Sequence, residues 1–91
     1  MEFVTGMVVI SSAGHDCGNL FVVSGADERY VYVADGKERK LDSPKRKNRR
    51  HIRVTDDIIP ADSMSDKKLR KALNALRARN KNIAEESEKL V

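Results

Sequence analysis

Apolar residues in the first part of the chain come in short, closely spaced runs; beyond residue 63 they recur at intervals of three and four. Three runs read as strands: Gly6 to Ser11 with Met7-Val8-Val9-Ile10, Leu20 to Val23, and Arg29 to Ala34 with Tyr30-Val31-Tyr32-Val33. Each is rich in β-branched or aromatic residues, which fit a pleated surface, and each is bounded by Gly, Asp or Asn. The segments between them, Ala13 to Asn19 and Gly25 to Glu28, have hairpin length. Asp35-Gly36 is a tight-turn dipeptide that predicts a fourth short strand near Lys37 to Leu41. Pro44 has no backbone donor. The run after it is therefore expected to leave the sheet as an extended loop or edge and to rejoin near His51-Ile52-Arg53-Val54. Short antiparallel strands packed this densely predict a mainly β fold over residues 1–57, a small SH3-like barrel, followed by a C-terminal helix.

Asp56-Asp57-Ile58-Ile59-Pro60 closes the strand-rich part and leads into a linker over 58–64. The helix is expected over 65–84. Ser63 and Asp66 have capping-box spacing, with Ser65 as the alternative N-cap, and Leu69, Ala72, Leu73, Leu76 and Ile83 fall on one face. Basic residues occupy the rest of the circumference. Glu85, Glu86 and Glu88 oppose the helix dipole at its C-terminal end, so an acidic, frayed tail is expected over 85–91.

Charge sharpens this outline, because the net charge of +4 is distributed in blocks. Residues 37–53 carry nine basic side chains, Lys37, Arg39, Lys40, Lys45, Arg46, Lys47, Arg49, Arg50 and Arg53, against only Glu38 and Asp42. Such a cluster attracts phosphates, since each ammonium or guanidinium releases condensed counterions when it binds one. Arginines add bidentate geometry, whereas Lys45 and Lys47 act as point charges. Asn48 and His51 either join the contact or hold the loop in shape.

The order of parts also carries a resemblance. Gly6-Met7-Val8-Val9, the turn Gly14-His15-Asp16-Cys17-Gly18, Phe21-Val22-Val23, Tyr30 through Gly36, and Pro44-Lys45-Arg46-Lys47-Asn48 with His51-Ile52 follow one another as in the KOW-domain RNA-binding proteins. In particular, the chain resembles the archaeal and eukaryotic large-subunit ribosomal protein family numbered fourteen and its short bacterial relatives. The resemblance covers roughly the first 55 residues. It implies a KOW barrel that binds RNA, in that family ribosomal RNA, through the basic run, with His15 and Asn19 on the turn as further polar contacts. Lys67, Lys68 and Lys71 on the helix would extend the footprint. KOW domains also occur in transcription elongation factors, where such a barrel can bind proteins. The alternative is therefore a protein-interaction module whose partner is a ribosomal or other acidic protein.

Other chemistry finds little support in the residues. Cys17 is the single cysteine, which suits a reducing compartment, and His15, Cys17 and His51 do not form the four-ligand pattern of a zinc site. No nucleophile has a recognisable base beside it, so no enzyme activity, cofactor or metal is expected. Met1-Glu2-Phe3 lacks the basic flank and apolar centre of a signal peptide, and no apolar run is long enough for a bilayer; a cytoplasmic protein without membrane attachment is expected. Gly14 and Gly18 would let the Ala13 to Asn19 connection turn sharply, with Asp16 capping a backbone N–H. With only four aromatic residues, Phe3, Phe21, Tyr30 and Tyr32, all are expected to be used mainly in the core, and base stacking is the alternative role for the tyrosines.

Overall fold

The computed structural model describes residues 2–90, with side chains through Arg79. Five strands form one antiparallel sheet: β1 (Met7–Ser11), β2 (Leu20–Ala26), β3 (Tyr30–Ala34), β4 (Lys45–Asn48) and β5 (Ile52–Ile58). Their spatial order is β4-β3-β2-β1-β5. The two edge strands are thus neighbours in sequence, joined only by a short 3-10 helix, η1 (Arg49–His51). So short a link forces the sheet to curl until its edges approach. The Lys47 ammonium on β4 accordingly reaches the Ser11 hydroxyl on β1 at 2.6 Å, although β3 and β2 separate these strands in the sheet.

Because side chains alternate across a pleated sheet, β1, β2 and β3 each supply two faces. Val9, Phe21, Val23, Val31 and Val33 point into the curl, where Ile52 joins them. Val8, Leu20, Val22 and Ala34 point the other way and are covered by the helix α1 (Asp66–Leu90). Leu69 and Leu73, four residues apart on one helical face, are buried there against the sheet. Burying a leucine side chain contributes about 1.5–3 kcal/mol, so these two residues are the main anchor of the helix. Ala61 of a second 3-10 helix, η2 (Ala61–Ser63), fills the same layer.

The helix begins where its polar residues allow. Ser65 is the N-cap: its hydroxyl accepts the Lys68 N–H at 3.2 Å, and its carbonyl accepts that of Leu69. Of the two sequence alternatives Ser65 therefore prevails; Ser63 instead closes η2, donating its hydroxyl to the Pro60 carbonyl. The Asp66 carboxylate accepts the Leu41 N–H at 2.7 Å and ties the helix start to the β3–β4 loop. Gly36 makes that approach possible. It has φ +77°, and a Cβ at this position would collide with the Asp66 carbonyl oxygen. The expected acidic tail over 85–91 lies outside the residues whose side chains are described.

Three expectations need correction. The fourth strand is not Lys37 to Leu41, because the Asp35 carboxylate accepts the N–H groups of both Lys37 and Arg39 and winds that segment into a loop. The fourth strand is instead the basic run itself, Lys45–Asn48, paired with β3 in the register Tyr30↔Asn48 to Val33↔Lys45. Tyr30 and Tyr32 are not core residues. They share the outward parity of β3, where they are half-exposed, while Val31 and Val33 are buried. β5, finally, continues through Asp56 and Asp57, which had marked the approach to the linker.

Candidate nucleic-acid interface

The alternation along β4 divides the basic run into two sets. Lys45 and Lys47 lie opposite Val33 and Val31, whose side chains point into the curl, whereas Arg46 and Asn48 lie opposite Tyr32 and Tyr30 on the outer surface. Lys47 is buried. Its ammonium donates to the Asp16 carboxylate and the Ser11 hydroxyl, each at 2.6 Å, and to the Ala13 carbonyl at 3.0 Å. Lys45 donates to the other Asp16 oxygen at 2.9 Å, and the Ser11 hydroxyl donates to Asp16 at 2.8 Å. Burial alone would push the Asp16 carboxyl up. The hydrogen bonds from Lys47, Lys45 and Ser11, together with the Lys47 charge, outweigh that and hold it far below the usual carboxylate range. Both lysines were expected to meet phosphate. Instead they fasten β4 to the β1–β2 loop, and Asp16 serves them rather than capping a backbone N–H. Gly14 and Gly18 have the positive φ expected of that loop.

The outward set continues into η1. The Asn48 side chain accepts the Arg50 N–H at 3.0 Å, which fixes the turn. The Arg49 N–H donates to the Arg29 carbonyl at 3.2 Å, bringing the β2–β3 turn alongside. Asp27 shapes that turn by accepting the N–H groups of Tyr30 and Arg29 and the Tyr32 hydroxyl. The same bonds, led by that from Tyr30, lower the Asp27 pKa, while the bond to Asp27 raises that of Tyr32.

Five arginines gather around this turn: Arg29 before β3, Arg46 on β4, Arg49 and Arg50 in η1, and Arg53 on β5. Arg46 lies over the Tyr30 ring at 4.6 Å from its centroid, and Arg49 over Phe3 at 5.2 Å. One shallow groove runs past Phe3, Arg49, Arg50, Ile52, Arg53 and Val54. A second is lined by Glu28, Arg29, Tyr30, Asn48, Arg49 and Arg50, so Arg49 and Arg50 form the ridge between them. Among the described residues, none of the five is in a salt bridge; the basic partners of the ion pairs are Lys45, Lys47 and Arg79. Among the described residues, the enclosed Arg49 Nε has no hydrogen-bond acceptor. Planar guanidiniums in this state offer forked donors to an incoming oxyanion.

The remaining candidates are dispersed. Lys37, Arg39 and Lys40 are exposed on the β3–β4 loop, at the end of the strand pair remote from η1 and beside the helix start. Lys67, Lys68 and Lys71 are exposed on α1. His15 and Asn19 are exposed on the β1–β2 loop, and exposed His51 contributes its carbonyl to the Ser12 N–H. Sequence reasoning missed Arg29 and the platform role of Phe3. Arg29 was discoverable from the register alone, because pairing Tyr30 with Asn48 sets it next to Arg49.

Among the described residues no group of three or more His, Cys, Asp or Glu side chains is placed to hold a metal ion. No described helix is long and apolar enough to cross a membrane. In comparison with known proteins, no family model matches the chain and no curated protein matches it significantly.

Proposed function

We propose that this protein is a non-enzymatic RNA-binding protein, a KOW-type SH3-like barrel that grips structured RNA through the arginines around η1, as a ribosomal or ribosome-associated component. The observation that carries the reading is the convergence of Arg29, Arg46, Arg49, Arg50 and Arg53, none ion-paired among the described residues, on one turn held by Asn48 and Asp27. The curled five-stranded antiparallel sheet, with its edge strands joined by a single 3-10 turn, supports the barrel part of the reading.

In this mechanism phosphate contacts supply affinity, and the fixed spacing of the turn matches the shape of a folded RNA. If four or five arginines each meet one phosphate, log affinity falls against log salt with a slope of about −4. The test is fluorescence anisotropy on a ribosomal RNA hairpin across a salt series, comparing the native chain with Arg49→Ala/Arg50→Ala. The double variant should flatten the slope by about 2 while its thermal melt stays within a few degrees. An unchanged slope would remove η1 from the interface. Sedimentation with the large ribosomal subunit, abolished by ribonuclease, tests the ribosomal part.

One observation favours a second reading as a protein-interaction module. Val4 and Ile58 are 59% and 73% exposed, and Ile58 lies on the open edge strand β5. An apolar protein contact there would survive both high salt and ribonuclease, whereas the RNA contact survives neither.

A further inference from the structure

We infer that the hollow beside Tyr30 takes a single unpaired nucleotide, whose base stacks on the Tyr30 ring while the neighbouring arginines hold its phosphates. This inference rests on the RNA-binding reading and narrows its ligand from RNA in general to RNA with a bulged or looped-out base.

The argument begins with parity. An aromatic residue in a chain with so few would ordinarily be drawn into the core, yet β3 turns Val31 and Val33 inward and leaves Tyr30 on the outer surface. Tyr30 is half-buried rather than free: its backbone N–H is held by Asp27, and the Arg46 guanidinium lies against one face of its ring. The ring is therefore pre-oriented, and the hollows that it lines are where a planar ligand would meet it. Tyr30 also lines two adjoining hollows, one with Asn48, Arg49 and Arg50 and the other with Asp27, Glu28 and Arg29.

The chemistry of this lining matches the parts of a nucleotide. A base needs a flat, polarisable surface, which Tyr30 gives, and stacking tolerates any base because each has a π-face. A phosphate needs forked donors, which Arg29, Arg49 and Arg50 give. Watson–Crick or exocyclic groups need acceptors as well as donors at the rim. Glu28 and Asn48 line the same hollow. A continuous duplex cannot use the platform, because its bases are stacked on each other and A-form geometry hides their faces.

The experiment compares an uninterrupted RNA duplex with the same duplex carrying one bulged fluorescent purine analogue, each titrated with the native chain, Tyr30→Ala and Tyr30→Phe. The native chain should bind the bulged RNA about tenfold more tightly than the duplex and quench the analogue. Tyr30→Ala should lose both the preference and the quenching, and Tyr30→Phe should retain both. Equal affinity of the native chain for the two RNAs, or a preference that survives in Tyr30→Ala, would overturn the inference and leave the arginine interface standing. Failure to bind either RNA would overturn both. A thermal melt of Tyr30→Ala close to the native one confirms that its loss is local.

Discussion

Removing one carboxylate from the Asp16–Lys47 pair should damage this protein more than removing both charges. Asp16→Ala leaves the Lys47 ammonium, whose side chain is only 6% exposed, with the Ser11 hydroxyl and the Ala13 carbonyl but no counter-charge. Breaking a buried ion pair from one side costs about 3–5 kcal/mol. The Lys45 contact adds little, because that side chain is 32% exposed and such pairs contribute about 0–1 kcal/mol. A loss of about 3 kcal/mol is expected, against a total stability of about 5–15 kcal/mol for a small domain. It should lower the melting temperature by about 12–24 °C. Lys47→Met, by contrast, leaves Asp16 with Lys45 and Ser11 and should cost about 1–2 kcal/mol. The double variant Asp16→Ala/Lys47→Met should then be more stable than Asp16→Ala alone. Urea unfolding followed by circular dichroism measures all three.

Acid supplies an independent reading of the same pair. The folded pKa of Asp16 is depressed, so on acidification the unfolded chain takes up this proton first. Its contribution is complete above about pH 5 and is lost progressively as pH falls from the ordinary carboxylate value, about 4, toward the far lower folded one. The native chain should show this acid loss, and the double variant should lack it. If Asp16→Ala costs less than about 1 kcal/mol, or the second substitution brings no recovery, Lys47 is not held as a buried charge and the reasoning fails.

Two further outcomes concern the helix. Leu69→Ala should cost about 2–5 kcal/mol in chemical unfolding, since Leu69 is fully buried against Val8 and Val22; a near-neutral result would mean the helix does not pack on the sheet. Gly36→Ala should cost about 2 kcal/mol or more, combining a left-handed backbone with a clash against the Asp66 carbonyl, and hydrogen exchange should quicken at Leu41, whose N–H depends on the Asp66 contact.

The sequence made β1, β2, β3 and the start of α1 legible because each has a local signal: β-branched runs between turn residues, or a serine cap ahead of leucines at helical spacing. β4 was hidden because Lys-Arg-Lys-Asn has poor strand propensity, and tertiary context overrides it. The tyrosine-bearing strand supplies the ladder, and Asp16, distant in sequence, neutralises the lysine turned inward. Once β4 was missed, the division of the basic run could not be seen, and Lys45 and Lys47 looked equivalent to Arg46, Arg49 and Arg50. Arg29 was missed for the same reason, since only the Tyr30↔Asn48 register brings it to Arg49.

The inward lysine also affects how contacts on this surface are mapped. Amine-reactive footprinting ranks lysines by their shielding when RNA is added, and the reagent meets Lys47 already shielded by Ser11, Ala13 and Asp16. A map that compares each lysine only with an average surface amine would count Lys47 as an RNA contact. The arginines around η1 would leave no mark on it, so the chemistry that would report the proposed interface is guanidinium-directed, and the shielded lysine inside the curl would instead be a measure of folding.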